Sequence, residues 1–189
     1  MAHHALDDER LVALAQSGDR AAFDQLAERH STRLRRVLFR ITRDCDVAYD
    51  AVQEALMRAW QNIGRFEGRS QFSTWLTRIG INESYRVLRR GPEQPLELTD
   101  QVGERITSWG ARPDAVFESR EFLQAVDGAL GELPLDYRTA VTLRDVEGLS
   151  TAEAAEILGI GERALKSRVH RGRMALRAKL DDYFNEGYA

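Results

Sequence analysis

The stretch STAEAAEILGIGERALKSRVHRGRMAL, residues 150–176, decides the fold. Ser150 with Glu153 three residues later forms a capping box. The hydroxyl takes a free amide of the first turn, and the carboxylate reaches back to the cap N–H. The spacing predicts a helix through Ala154, Ala155, Ile157 and Leu158. Gly159 suits a turn with positive φ, Ile160 plugs the core, and a second helix starts near Gly161-Glu162. Small Ala155 lets the two helices cross closely, as a helix-turn-helix requires. On the second helix Leu165, Val169, Gly172 and Leu176 share one side. Arg163, Lys166, Ser167, His170, Arg173, Met174 and Arg177 lie opposite. A basic outward face on the second helix of such a pair suits a DNA major groove. The alternative is a helical hairpin with a solvated basic face. Residues 162–179 hold seven bases against one acid, which favours DNA.

The pattern upstream is also helical. Leu133-Pro134 opens a helix from Leu135 to Val146, which Gly148 ends, and an earlier helical run begins at Ala115-Val116-Phe117 and continues through Leu130. Before it, residues 92–114 carry three of the four prolines and no convincing periodicity. That is too long for an ordinary loop inside a compact domain, so it reads as a linker between two domains, 1–91 and 115–189. In the first, Leu11, Val12, Leu14 and Ala15 recur at helical spacing until Gly18-Asp19. Ala22, Phe23 and Leu26 start a second stripe, which Leu34, Val37, Leu38 and Ile41 carry onward. After the polar break Asp44-Cys45-Asp46, residues 47–63 are amphipathic. Val52, Ala55, Leu56, Ala59 and Ile63 fall on one side, and Asp50, Gln53, Glu54, Met57 and Gln61 on the other. Residues 64–71 read as a loop and Phe72 to Arg90 as a further helix. Nothing alternates like a strand, so the expected fold class is all-α.

Composition narrows the function. The 189 residues are 43% hydrophobic and 30% charged, a globular mix. No apolar run approaches the roughly 20 residues of a membrane span. No signal-peptide pattern opens the chain, and the single cysteine, Cys45, excludes an internal disulfide framework; both predict a cytoplasmic protein. There is no Gly-rich phosphate loop, HExxH or Ser/His/Asp order, so enzyme readings do poorly, and neither a metal nor a cofactor is expected. The net charge of −3 conceals segregation. Residues 28–43 hold six arginines against one acid, and residues 92–136 hold ten acids against three arginines. Basic blocks at both ends suggest two polyanion-facing modules joined by a segment that faces something else.

In the first module, Arg65-Phe66-Glu67-Gly68-Arg69-Ser70-Gln71 mixes base, aromatic and hydrogen-bonding groups. On the following helix Phe72, Leu76 and Ile79 share the core side. Arg78, Asn82, Tyr85 and Arg89 share another, with Trp75 at its edge. Arginines, rings and an amide close together suit unpaired nucleic acid: charge follows phosphates, rings stack, and amides read base edges. Taken alone, Trp75 fits the core better than a base platform. These features leave open a two-domain repressor or activator on closed duplex, and a helical protein adaptor.

A family resemblance narrows this further. Asp50-Ala51-Val52-Gln53-Glu54-Ala55-Leu56-Met57-Arg58-Ala59-Trp60 and Phe66-Glu67-Gly68-Arg69-Ser70-Gln71-Phe72-Ser73-Thr74-Trp75-Leu76, followed by Ile79, Asn82 and Leu88-Arg89-Arg90, resemble region two of bacterial extracytoplasmic-function sigma factors. Leu133-Pro134 with Tyr137-Arg138, Leu143-Arg144-Asp145-Val146-Glu147-Gly148-Leu149-Ser150, and Ala155-Glu156-Ile157-Leu158-Gly159-Ile160 with Lys166-Ser167-Arg168 resemble region four. Both stand in the family's order, separated by the linker.

The resemblance implies a region-two bundle and a region-four helix-turn-helix. It implies that Asp50, Gln53, Glu54, Met57 and Arg58 contact the β′ clamp helices of core RNA polymerase. The minus-ten element would meet Phe66, Arg69, Ser70 and Gln71 of the loop, and Trp75, Arg78, Asn82, Tyr85, Arg86 and Arg89 of the helix. The minus-thirty-five element would meet Arg163, Lys166, Ser167, Arg168, His170, Arg171 and Arg173. Further implied are a contact with the β flap, a linker threading toward the RNA exit path, assistance in promoter opening, and an anti-sigma factor as inhibitor, without direct membrane insertion. The chain departs from the family at Arg86, at Gly161, at Arg163-Ala164 and at Glu83. Glu83 stands where a small residue is usual, on the helix side nearest the core or at an exposed edge beside Trp75 and Ile79. These departures bear on the promoter sequence, not on the class.

Overall fold

The computed structural model describes residues 6–88 and 120–187, with backbone only at residues 120, 122 and 182–187. The predicted linker, Arg89 and the run predicted from Ala115 to Glu118 lie outside the described residues. Four helices make the first module: α1 (Asp8–Gln16), α2 (Arg20–Thr42), α3 (Cys45–Asn62) and α4 (Phe72–Leu88), with a 3-10 turn at Ile63–Arg65 after α3. Asp7, Asp19 and Asp44 cap α1, α2 and α3, each side chain accepting from amides of the first turn. Such a cap stabilises a helix start by about 1 kcal/mol, so the two polar breaks in the sequence pattern are helix starts.

The second module comprises α5 (Arg120–Gly131), α6 (Leu135–Val141), α7 (Thr151–Leu158) and α8 (Glu162–Gly187). The helix expected over 135–146 is present, but from Thr142 to Val146 it widens into a π turn. There Glu147 N–H reaches Thr142 O at 2.9 Å and Leu149 N–H reaches Leu143 O at 3.1 Å. Leu143 is fully buried while Glu147 faces α2. No strand occurs among the described residues.

The two modules pack against each other. One apolar cluster runs from Leu11, Phe23 and Leu38 of the first to Leu143, Ile157 and Leu165 of the second. Glu147 accepts ion pairs from Arg33 at 3.1 Å and Arg40 at 3.2 Å. Asp127 pairs with Arg43 at 2.7 Å, and the Tyr85 hydroxyl donates to Thr139 Oγ1 at 2.9 Å. Beside these, burial and then the neighbouring Arg43 push the Arg138 pKa down. Arg43 itself closes α2 in the left-handed region, φ 60°. That conformation is costly for a side chain with a Cβ, and the pair to Asp127 holds it. So four of the six arginines in residues 28–43 depart from the expectation of a polyanion-facing block, while Arg35 and Arg36 stay exposed. Arg33, Arg40 and Arg43 meet acids of the second module and Arg29 meets Asp8. Sequence counting missed the three pairs with the second module because those partners lie 84 or more residues away.

Candidate nucleic-acid and polymerase interfaces

The outer strip of α3 follows its apolar face. Ala48, Ala51, Val52, Ala55 and Ala59 are buried against α2 and α4. This leaves Asp50, Gln53 and Met57 exposed one turn apart, with Met57 49% exposed and Tyr49 beside them at 55%. Exposed methionine and tyrosine flanked by acid and amide groups suit a protein partner better than solvent. Glu54 and Arg58 share this side but are tied to each other at 2.8 Å.

The loop between the 3-10 turn and α4 is built on aromatic rings. Phe66 lies 5.0 Å from Trp75 and 6.2 Å from Phe72, and Phe72 reaches Trp75 at 5.9 Å. Trp75 is half-buried, so it is both a wall of this cluster and an accessible ring edge. Gln16 of α1 pins the loop, its side-chain amide donating to Ile63 O at 3.0 Å and Phe66 O at 2.7 Å. Gly68 turns it with φ +69°. Arg69 and Gln71 project outward, Arg69 pairing with Glu67 at 3.0 Å, and Ser70 is half-buried. The loop, the start of α1 and the acids Glu153 and Glu156 of α7 enclose an open cleft of about 960 Å³.

Helix α4 is buried on two sides. Phe72, Leu76 and Gly80 face the first module's core, and Ile79 is only half-buried. A Cβ at Gly80 would meet Leu34 and Leu38 at 3.0 Å. Thr74, Ile81 and Ser84 are buried on a second side, where α7 of the second module packs on α4. Between them an exposed strip carries Arg78, Asn82 and Arg86, each one turn from the next. Tyr85 leaves this strip to bond Thr139. Glu83 is buried, which settles the two placements that its sequence left open.

In the second module the capping box forms as predicted. Glu153 N–H donates to Ser150 Oγ at 3.2 Å and Ser150 N–H to Glu153 Oε2 at 2.8 Å. The Ser150 side chain, then its backbone, hold the Glu153 carboxyl below its ordinary pKa. Gly159 takes φ +63° and ends α7, and Ile160 N–H closes back on Ala155 O at 3.1 Å. Leu165 and Val169 seat α8 in the core. Gly172 is closer still: a Cβ there would lie 2.6 Å from Val141.

The outward face of α8 exposes Arg163, Lys166, Ser167, His170, Arg171 and Arg173. They differ in what they touch. Arg173 is held by Asp145 through two bonds, at 2.8 and 2.5 Å, which keep its guanidinium charged above the usual value. Arg171 stands 3.5 Å from the Tyr137 hydroxyl. Arg168 is half-buried and pairs with Asp136 at 3.0 Å, so its guanidinium braces α8 against α6. Among the described residues no helix is long and apolar enough to cross a membrane.

Comparisons with known proteins fall on these two modules. Residues 26–92 match the family model for Sigma-70 region 2, and residues 123–176 that for Sigma-70, region 4. The ECF RNA polymerase sigma factor SigM of Mycobacterium tuberculosis (strain H37Rv) is 37% identical over 97% of this chain and 89% of its own length. The sigma factor RpoE of Bartonella quintana, solved in complex with the anti-sigma factor NepR, is 34% identical. It covers 84% of this chain and 96% of that one, with a TM-score of 0.63. CnrH, solved in complex with the cytosolic domain of CnrY, is 29% identical over 93% of this chain and 97% of that one, with a TM-score of 0.67.

Proposed function

The chain belongs to the extracytoplasmic-function (ECF) sigma factors of RNA polymerase, and from that premise we propose how its surfaces divide the work of initiation. It binds core polymerase, directs it to particular promoters and helps to open them. The exposed strip Asp50, Gln53 and Met57 docks on core, with Glu54 and Arg58 at its edge. The ring-backed loop with Arg78 and Asn82 takes the unpaired minus-ten strand, and Arg86, the next residue of that strip, is tied to Glu83. Arg163, Lys166, His170 and Arg171 on α8 read the minus-thirty-five duplex. The carrying observation is that each surface is exposed on a helix or a loop fixed from behind by packing. The chain catalyses no reaction of its own on this reading, and it works in the cytoplasm, where the polymerase is.

Of the structural relatives, RpoE was solved in complex with an anti-sigma factor and CnrH in complex with the cytosolic domain of CnrY. The same reading gives this chain an anti-sigma factor as inhibitor. The elements it names, at minus ten and minus thirty-five, lie about 25 base pairs apart, roughly 85 Å at 3.4 Å per pair. A compact chain of this size has a radius of gyration of about 16 Å. The modules must therefore separate when both elements are bound, and an inhibitor that holds them together keeps the protein off promoters.

The test is transcription in vitro. Promoter-specific RNA is expected only when the chain and core polymerase are both present. Asp50→Ala or Gln53→Ala is expected to weaken core binding and to spare promoter contacts made by assembled complexes. Tight, salt-dependent binding of free duplex by the chain alone, with no effect on polymerase, would show a repressor instead.

A further inference from the structure

Glu83 is the only buried charged side chain among the described residues. Its carboxylate sits under two arginines from different helices. Arg58 Nε of α3 lies 3.0 Å from Oε1, and Arg86 Nε of α4 lies 2.8 Å from Oε2. Arg58 is also held by Glu54 at 2.8 Å. The row Glu54, Arg58, Glu83, Arg86 thus alternates in sign and sums to zero. It runs from the edge of the strip assigned to core docking to the strip assigned to the minus-ten strand.

A carboxylate taken out of water needs its partners, so Glu83 restrains both guanidinium groups. Arg86 is the consequential one. It follows Asn82 by one turn, and its side chain is 46% exposed. Released, it would be a mobile cation beside the base-reading amide, attracting phosphates whatever the base. Such contacts raise affinity without carrying sequence information.

We propose that Glu83 is a specificity-determining positioning residue: it ties down Arg86, so that discrimination at the minus-ten site is left to Asn82 and the loop. The proposal rests on the assignment of α4 and residues 66–71 to the minus-ten strand. It gives one function to the two departures from the family pattern on this helix, Glu83 and Arg86.

The test uses the full chain assembled with core polymerase. The probes are fork-junction duplexes with a randomised six-base window on the unpaired strand. Glu83→Gln keeps the shape of the side chain and removes its charge. It is expected to bind the unselected pool more tightly at low salt and to flatten the enrichment of the best sequences several-fold. Its salt slope is expected to steepen by about 0.7, one phosphate contact on a single strand. Glu83→Asp, which retains the charge, is expected to keep the parental slope, and Glu83→Gln/Arg86→Gln to return to it.

An unchanged slope and enrichment profile in Glu83→Gln overturns the proposal. So does a uniform loss of binding that follows a lowered thermal midpoint and is not reversed in the double variant. If Glu83→Gln fails to assemble with core, the double variant decides. A slope shallower than the parent's by about 0.7 would mean that Arg86 was bound to phosphate all along. Asn82→Ala checks the underlying assignment separately. If it leaves the enrichment profile intact while the Glu83→Gln slope steepens, the reader is misplaced and Glu83 still restrains Arg86.

Discussion

The two helices proposed to read DNA are held by opposite means. In the second module α8 is anchored by apolar side chains and a glycine, and its charges lie outside: Leu165, Val169 and Gly172 face inward while Arg163, Lys166 and His170 are exposed. In the first module α4 is buried on two sides and carries a carboxylate inside, so part of its charge pattern is fixed by α3. A helix that reads stacked duplex needs only to present donors to a rigid groove. On the proposed assignment, the helix that takes the single strand restrains a cation beside its base-reading amide, so that phosphate affinity does not replace base readout. The difference also bears on where the modules meet. They join through α4 and α2 of the first module and α6, α7 and the π turn of the second, leaving the basic face of α8 open.

The largest expected effect tests whether the modules form one cooperative body. Leu143 is fully buried in the cluster that spans both. Leu143→Ala is expected to cost about 2–5 kcal/mol, as such deletions do in other cores. Chemical denaturation followed by fluorescence and by circular dichroism is expected to show a single lowered transition. Two separated transitions, with only the second displaced, would make the contact between the modules energetically trivial.

The next effect sets the interior glycine of α4 against that of α8. Alanine at an exposed helix site gains about 1 kcal/mol over glycine. At Gly172 the new Cβ would meet a γ-methyl of buried Val141 at 2.6 Å, and this stiff side chain cannot yield. Overpacking of this kind costs about 1–3 kcal/mol. Gly172→Ala is therefore expected to destabilise the protein and to impair minus-thirty-five-dependent transcription. At Gly80 the contacts are flexible leucine ends at 3.0 Å, and Gly80→Ala is expected to be nearly neutral in a denaturant titration. Equal losses at the two sites would erase the contrast in how the helices are seated.

This contrast also explains what was legible in the sequence. The capping box, Gly159, the α8 wheel and the exposed α3 strip were readable because each depends on residues within about two turns of one another. The strip proposed for the minus-ten strand was readable only in part. Arg78 and Asn82 follow helical spacing, but the turning of Tyr85 toward Thr139 and the pinning of the loop by Gln16 bridge 54 and about 50 residues. The burial of Ile81 and Thr74 under α7, and the pairing of Glu83 with Arg58, depend on how helices dock. One apolar or charged residue carries no signal of that. The cost of burying a charge gave the one available hint, since a carboxylate on the core side of a helix requires a cation from a neighbouring helix.

A smaller effect concerns the lock between the modules. Glu147→Gln removes the negative charge that pairs with Arg33 and Arg40. Both arginines are partly exposed, so the loss is expected to stay below about 1 kcal/mol. Spin labels at the exposed Cys45 and at Ser167→Cys would report it as a broadened distance distribution. High salt should broaden the parent in the same way and the variant less, because only the Arg43–Asp127 pair between the modules is left to screen. A distribution that stays narrow in the variant would place the cohesion in the apolar cluster alone.

The smallest effect isolates a charge confined to the second module. Glu153 reaches back to Ser150, whose hydrogen bonds favour the ionised carboxyl and hold its folded pKa below the unfolded value. A depressed carboxyl contributes stability that is complete above the unfolded pKa, about 4.3 for glutamate. The contribution is lost as pH falls through the folded pKa, where both states are protonated. Glu153→Gln leaves a carbonyl oxygen to accept the Ser150 N–H but removes the group that ionises. The parent is therefore expected to exceed the variant in stability at pH 6 and to lose that advantage as pH drops below about 4.3. Denaturant titrations of both proteins at pH 6, 4 and 3 would show the difference shrinking. A difference that held constant across the range would mean that the cap works through hydrogen-bond geometry alone. The second module would then owe its start to shape, as its glycines do, and the working buried charge would belong to the first.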